Sequence, residues 1–181
     1  MPVAAGAVTG LIAAISYYDR LLRPLAHTIA LWILLAVAVS AGQAPRRAIL
    51  RTSTAVLAGI VALNIGQRLI YRVKYTGDAY AFGLHSFGLW SLLALGVGMV
   101  LGPVFARIGR SDWPGSGATA AAVGLLVADV FRRTHSYPGD TPILRAFAVL
   151  AILTILALAA VNISQMVRTV LLSLACLFRG N

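Results

Sequence analysis

The chain has 181 residues, 60% of them apolar and only 11% charged, with a mean hydropathy of +0.88, which excludes an ordinary soluble domain, where about a quarter of residues carry charge. Fifteen Lys and Arg, all Arg but one, stand against five Asp and no Glu, a formal net charge of +10. The arginines come in twos and threes beside apolar runs, not in a stripe with interleaved aromatics, so the expected basic-surface partner is the lipid bilayer with its anionic headgroups and not nucleic acid.

Six runs almost free of charge have about the length a helix needs to cross a hydrocarbon core about 30 Å thick. They are residues 3–18, 26–41, 52–71, 81–104, 117–131 and 142–163. Backbone in lipid must satisfy its own hydrogen bonds, so the expected fold is all-α, a polytopic transmembrane helical bundle of six spans forming a single domain over 1–181. The cell membrane is the expected location.

The start of the chain, Met1-Pro2-Val3-Ala4-Ala5, has no basic side chain ahead of the apolar run, so the first run is expected to be retained as a span and not removed as a signal peptide. On that span Gly6, Gly10 and Ala14 lie four apart on one face, a small-residue ridge that lets another helix approach closely. That helix belongs either to the same chain or to a membrane partner subunit docking through span 1.

The second and fourth runs carry a repeat. His27-Thr-Ile-Ala-Leu-Trp32-Ile-Leu-Leu-Ala matches His85-Ser-Phe-Gly-Leu-Trp90-Ser-Leu-Leu-Ala at an offset of 58 (85 − 27). After a basic connection the match resumes at an offset of 65 (129 − 64), where Gly59 and Asn64 fall opposite Gly124 and Asp129. Each copy reads as a helical hairpin, spans 2–3 and spans 4–5, and with two spans between equivalent helices the repeat is parallel. Pro45, Pro103, Pro114, Pro138 and Pro142 stand near helix ends, and Gly115-Ser116-Gly117 predicts the turn into the fifth span. The apolar run 143–178 would make a helix of about 54 Å. Asn162, Ser164, Gln165 and Arg168 interrupt it, so 164–181 is expected to form an interfacial or packing tail.

Threading the six spans alternately gathers all six tyrosines and all three histidines at one end of the bundle, with Asn64 and Asp129 about one turn inside their helices. Tyrosines that only anchored helices would form belts at both interfaces, so this end is the candidate ligand-binding site: Asp129, Asn64, His27, His85, Tyr17, Tyr71 and Tyr80. Asp129 within a span needs a partner or water, and Arg133 at i,i+4 on the same helix is the nearest partner; a pocket or proton-relay role is the alternative. The histidines are read as headgroup-level residues or as ligand hydrogen-bonding groups. The two ends carry nearly equal numbers of Lys and Arg, so charge assigns no orientation.

No catalytic motif or metal-ligand spacing is present. The single cysteine, Cys176, excludes an internal disulfide and a thiol pair for a metal, and no His-x-x-x-His, Gly-x-Ser-x-Gly or phosphate-cradling loop occurs. The expectation is a non-enzyme without cofactors.

The progression Trp90-Ser-Leu-Leu-Ala, Gly102-Pro103-Val104 and Gly124-Leu-Leu-Val-Ala-Asp129, with Trp32 and Gly59 as its earlier counterpart, resembles an uncharacterised family of small six-span bacterial membrane proteins over nearly the whole chain. The resemblance implies the bundle and a bacterial inner membrane, and no activity. In architecture alone the chain is similar to the substrate-binding S component of energy-coupling-factor transporters. The functional expectation is a small-solute-binding or transport-associated subunit, with a small-molecule ligand at the Tyr/His-rich end; the alternative is a non-catalytic membrane scaffold binding lipid or another membrane protein, and a third reading, a proton-coupled carrier, requires Asp129 to be unpaired and wetted.

Overall fold

A computed structural model describes residues 1–75, 83–136, 139 and 141–159. Among these the secondary structure is helical with no strand: α1 (Pro2–Tyr18), a single turn α2 (Arg23–Ala26), α3 (Ala30–Ser40), α4 (Pro45–Lys74), α5 (Leu84–Phe105), α6 (Trp113–Ser136) and α7 (Thr141–Ala159). Tyr80, Tyr137, Asp78, Asp140 and the tail 164–181 lie outside the described residues.

Four of these helices, α4 to α7, are long and apolar enough to cross a membrane, while α1 and α3 are shorter apolar helices. The chain therefore has the makings of a membrane protein. Apart from Asp129, buried within α6, charge in the described helices lies toward their ends, where it can reach water or headgroups: α4 runs about 45 Å and carries Arg46, Arg47 and Arg51 at its start and Arg68, Arg72 and Lys74 at its end. Some hydroxyls inside the apolar helices are satisfied locally, Thr9 donating to the Ala5 carbonyl at 2.9 Å and Thr119 to Gly115 at 3.0 Å, which lowers the cost of carrying them in an apolar surrounding. The Thr52 and Ser116 hydroxyls, in contrast, are buried with no hydrogen-bond partner among the described residues.

The helix starts follow capping chemistry. α4 begins seven residues before the predicted span (52 − 45), because Pro45 suits the first turn, where its missing N–H has no intrahelical partner to lose. α6 begins ahead of Gly115-Ser116-Gly117, because the Asp112 carboxylate accepts the Gly115 N–H at 2.8 Å while pairing with Arg110, also at 2.8 Å. Gly42, with φ of +69°, turns the chain out of α3 in a conformation that other residues rarely adopt.

The second predicted span, 26–41, is not one helix. His27–Ile29 break it, leaving α3 with 11 residues, about 17 Å. The Thr28 hydroxyl accepts the Ala30 N–H at 3.1 Å, so a side chain takes the place of the helical carbonyl. The freed backbone group at Ile29 is satisfied from another helix, as described below.

α4 is the central element. α1 lies along it in parallel, with Gly6 against Ala55, Gly10 against Gly59 and Ala14 against Gly66; a Cβ added at Gly6 or Gly10 would overlap the α4 carbonyls of Ala55 or Gly59. The small-residue ridge is thus used within the chain, and what α1 leaves outward is its other face, Val8, Ile12 and Ile15. On a further side α5 packs antiparallel to α4, Gly98 against Ser53 and Gly102 against Ala48 and Ile49. One apolar core joins α3, α4 and α5 through Leu35, Ala55, Val56, Ile60 and Ala94, with Ala5 of α1 packed against it. A second joins α3 to the end of α5, α6 and α7 through Ile33, Val37, Phe105, Leu126 and Ile155. α3 takes part in both.

The two hairpins of the sequence repeat differ in their packing. In the first, the Trp32 ring rests on Gly59, where a Cβ would come within 2.7 Å of it; in the second, the corresponding Gly124 faces open space and Trp90 is 58% exposed. Their helices also differ in length, 11 and 30 residues against 22 and 24.

Candidate functional site

Val56, Ile60, Leu63, Gln67, Tyr71 and Lys74 follow one another on α4 at intervals of three and four, the spacing that keeps residues on a single helix face, with Asn64 and Tyr75 on its flank. That face lines two neighbouring clefts. The upper one, at the helix end, has a volume of about 730 Å³ and is walled by Tyr17, Tyr18 and the turn carrying Asp19, Arg20 and Arg23. The lower one, about 430 Å³, opens between α4, α3 and α5.

The upper cleft is basic and phenolic. Asp19 ends α1, and its Oδ1 accepts the N–H groups of Leu21 and Leu22 at 2.8 and 2.9 Å, which ties the only carboxylate among the described residues lining the cleft to the loop backbone. Among the described residues neither Arg20 nor Arg23 pairs with a carboxylate. Lys74 Nζ donates to the Tyr18 carbonyl at 3.3 Å and stands 5.9 Å from the ring centroids of both Tyr18 and Tyr75, within cation–π range. Tyr17 and Tyr18 meet edge to face at 5.2 Å, Tyr71 and Tyr75 are tilted by 39° at 4.9 Å, and the Tyr18 hydroxyl donates to the Gln67 carbonyl at 3.4 Å. Three cations with aromatic walls suit an anion whose oxygens take bidentate and charge-assisted hydrogen bonds.

The lower cleft is apolar. Trp32 and Trp90 lie on its walls with Ile33, Leu63, Val97 and Leu101, and its polar members among the described residues are His27, Asn64 and Thr28, the last of them buried and engaged with Asp129. The Asn64 amide donates back to the Ile60 carbonyl at 2.8 Å. His27 stands at the boundary with the upper cleft, its ring 5.4 Å from that of Tyr17.

Asp129 lines neither cleft. It is only 4% exposed, and its carboxylate on α6 reaches across to the break in the second run. Oδ2 accepts the Thr28 hydroxyl and, at 2.9 Å, the Ile29 N–H, while Oδ1 takes Arg132 at 2.9 Å. It is therefore a capping group supplied in trans for the start of α3, where a negative charge also opposes the positive end of the helix dipole. Its ionic partner is Arg132 at i,i+3 and not Arg133 at i,i+4; both spacings are within reach, and Arg132 is the one beside the carboxylate while Arg133 turns partly inward to other contacts.

No family model, no curated protein and no solved structure matches this chain.

Of the seven residues singled out in the sequence, Tyr17 and Tyr71 line the upper cleft, and His27 and Asn64 the lower one. Asp129 stands behind α3. His85 is exposed at the start of α5 and lines neither cleft, and Tyr80 is outside the described residues. Sequence reasoning missed Arg20, Arg23, Lys74, Tyr18, Tyr75 and Gln67 as cleft residues. Their signal was the α4 stripe, read together with the basic turn after Tyr17-Tyr18. Trp32 and Trp90 stood out only as repeat markers, though matched tryptophans one hairpin apart also mark two walls of one groove.

Proposed function

We propose that the protein is a six-span membrane protein that holds a small anionic solute in the upper cleft, as a solute-binding or transport-associated subunit. The observation that carries this reading is the pairing of Arg20, Arg23 and Lys74 with four tyrosines around about 730 Å³ while Asp19, the one carboxylate among the described residues lining the cleft, is tied to backbone. Six crossings are supported by the helix directions, α1 parallel and α5 antiparallel to α4, and by the clustering of the ends of α1, α4 and α6 with the start of α3. In that arrangement α3 crosses with the help of the turn α2 and the Asp129 cap. A proton-coupled carrier loses its premise, because Asp129 is buried and accepts from three donors.

The test is equilibrium binding of inorganic phosphate and of glycerol phosphate to the detergent-purified chain. Binding that weakens with salt and falls about thirtyfold in Arg23→Gln/Lys74→Gln supports the reading, at about one kcal/mol for each cation removed. Absence of binding at millimolar anion defeats it.

The second reading is a membrane scaffold, favoured by the outer face of α5, where Leu89, Leu92, Met99 and Val100 are exposed. A single partner crosslinked through Leu92→Cys, in a protein that binds no anion, would establish it in place of the first.

A further inference from the structure

The upper and lower clefts share one wall. The α4 stripe from Val56 to Lys74 runs about 27 Å at 1.5 Å per residue, apolar through Val56, Ile60 and Leu63, then polar from Asn64 to Lys74. Its apolar part, Val56 to Asn64, spans about 12 Å, close to the roughly 15 Å of one leaflet's hydrocarbon. Along a single face the surface thus changes from tryptophan and aliphatic, through an imidazole and an amide, to guanidinium, ammonium and phenol. A solute confined to the upper cleft would have no use for that gradient.

We infer that the two clefts form one elongated site for a single anionic glycerophospholipid: phosphate at Arg20, Arg23 and Lys74, glycerol and ester groups beside His27 and Asn64, and an acyl chain between Trp32 and Trp90. The inference rests on the anion-binding reading above and extends it to a ligand class. The charge pattern selects the headgroup. Arg20 and Arg23 offer planar forks and Lys74 a point charge, which suit phosphate oxygens, whereas a zwitterionic headgroup brings a quaternary amine into a cleft that already holds three cations. The apolar half selects a chain and not a sugar or nucleotide, because its polar lining among the described residues is confined to His27, Asn64 and Thr28, and the Thr28 hydroxyl is already given to Asp129. The two volumes, about 730 and about 430 Å³, each lie within the range of a small-molecule site. The contact of Tyr17 with His27 at 5.4 Å marks the border where the ligand would pass from one half to the other.

The experiment is native mass spectrometry of the full chain in detergent with dioleoyl phosphatidylglycerol, dioleoyl phosphatidylcholine and glycerol phosphate supplied separately. The expected result is one retained phosphatidylglycerol, held at least about tenfold more tightly than phosphatidylcholine and about a hundredfold more tightly than glycerol phosphate. Arg23→Gln/Lys74→Gln removes the preference over phosphatidylcholine, and Trp90→Ala lowers phosphatidylglycerol retention; Trp90 is 58% exposed, so its loss leaves no buried cavity. A second measurement does not depend on that variant folding. With Trp32→Phe and Trp113→Phe leaving Trp90 as the sole tryptophan, phosphatidylglycerol brominated on its acyl chain quenches Trp90 fluorescence, and unlabelled phosphatidylglycerol restores it at lower concentration than phosphatidylcholine does. Glycerol phosphate bound as tightly as the lipid overturns the single elongated site and leaves the upper-cleft reading standing. Equal retention of the two lipids with no glycerol phosphate bound overturns both.

Discussion

The Asp129 carboxylate accepts the backbone N–H of Ile29 at 2.9 Å, across 100 residues of sequence. A helix that begins inside an apolar bundle has N–H groups with no partner of its own, and here another helix provides the acceptor. Asp129→Ala leaves the Ile29 N–H and the Thr28 hydroxyl buried without it, at about 1–3 kcal/mol for each group. The expected outcome is a clear fall in Tm in detergent. Asp129→Asn falls less, since its amide oxygen still accepts one bond, and Arg132→Ala least, because that side chain is 62% exposed and its ion pair is screened.

Thr28→Val keeps the shape of the side chain and removes both the donor to Asp129 and the acceptor of the Ala30 N–H. A loss of about 1–2 kcal/mol is expected, as for an N-cap. In a double-mutant cycle with Asp129→Ala, read by thermal unfolding, the two losses add to less than their sum. Additive losses would mean that the residues act separately.

The glycines divide into two groups with opposite expectations. Gly6→Ala and Gly10→Ala place a methyl group into the α4 backbone and force α1 outward, so stability drops by about 1–3 kcal/mol or more, as for an overpacked core. Gly96→Ala and Gly124→Ala meet nothing within 4 Å. Each lies inside a helix and should be neutral or gain about 0.5–1 kcal/mol. Parallel Tm measurements of the four variants check both halves.

The long apolar runs were plain from the sequence, because exclusion of charge over a helix length is a one-dimensional signal. The break at His27–Ile29 was hidden. Residues 26–41 contain neither Pro nor Gly, and the polar Thr28 acts as a breaker only because Asp129 is there to take the backbone group it frees. Likewise the meeting of Tyr17 and Tyr71 at one cleft followed from alternate threading, whereas the separation of His27 and Asn64 into a deeper, tryptophan-walled cleft depends on how α5 leans on α4. The ridge on α1 was legible as a packing surface. Its partner, α4, was not, since any helix with small residues offers the same complement.

The proposed six alternate crossings would place Leu21 and Ser136 on one side of the membrane and Gln43 and Ser111 on the other. In a Cys176→Ser background, Leu21→Cys and Ser136→Cys should react with an impermeant maleimide from one side of intact cells or vesicles, and Gln43→Cys and Ser111→Cys only after permeabilisation, or the reverse. Labelling of Leu21→Cys and Gln43→Cys from the same side would show that α3 does not cross.

The reliance of α3 on Asp129 also bears on how the protein is made. Thr28 leaves the ribosome 101 residues ahead of the carboxylate it binds, so in the proposed six-span arrangement the first half of the chain would enter the bilayer with its second segment unfinished. Completion of that segment would then wait until α6 arrives, with the late part of the polypeptide acting as a chaperone for the early part. Truncation before α6 would therefore expose more than missing helices: it would leave an orphaned helix start for the insertion and quality-control machinery to find.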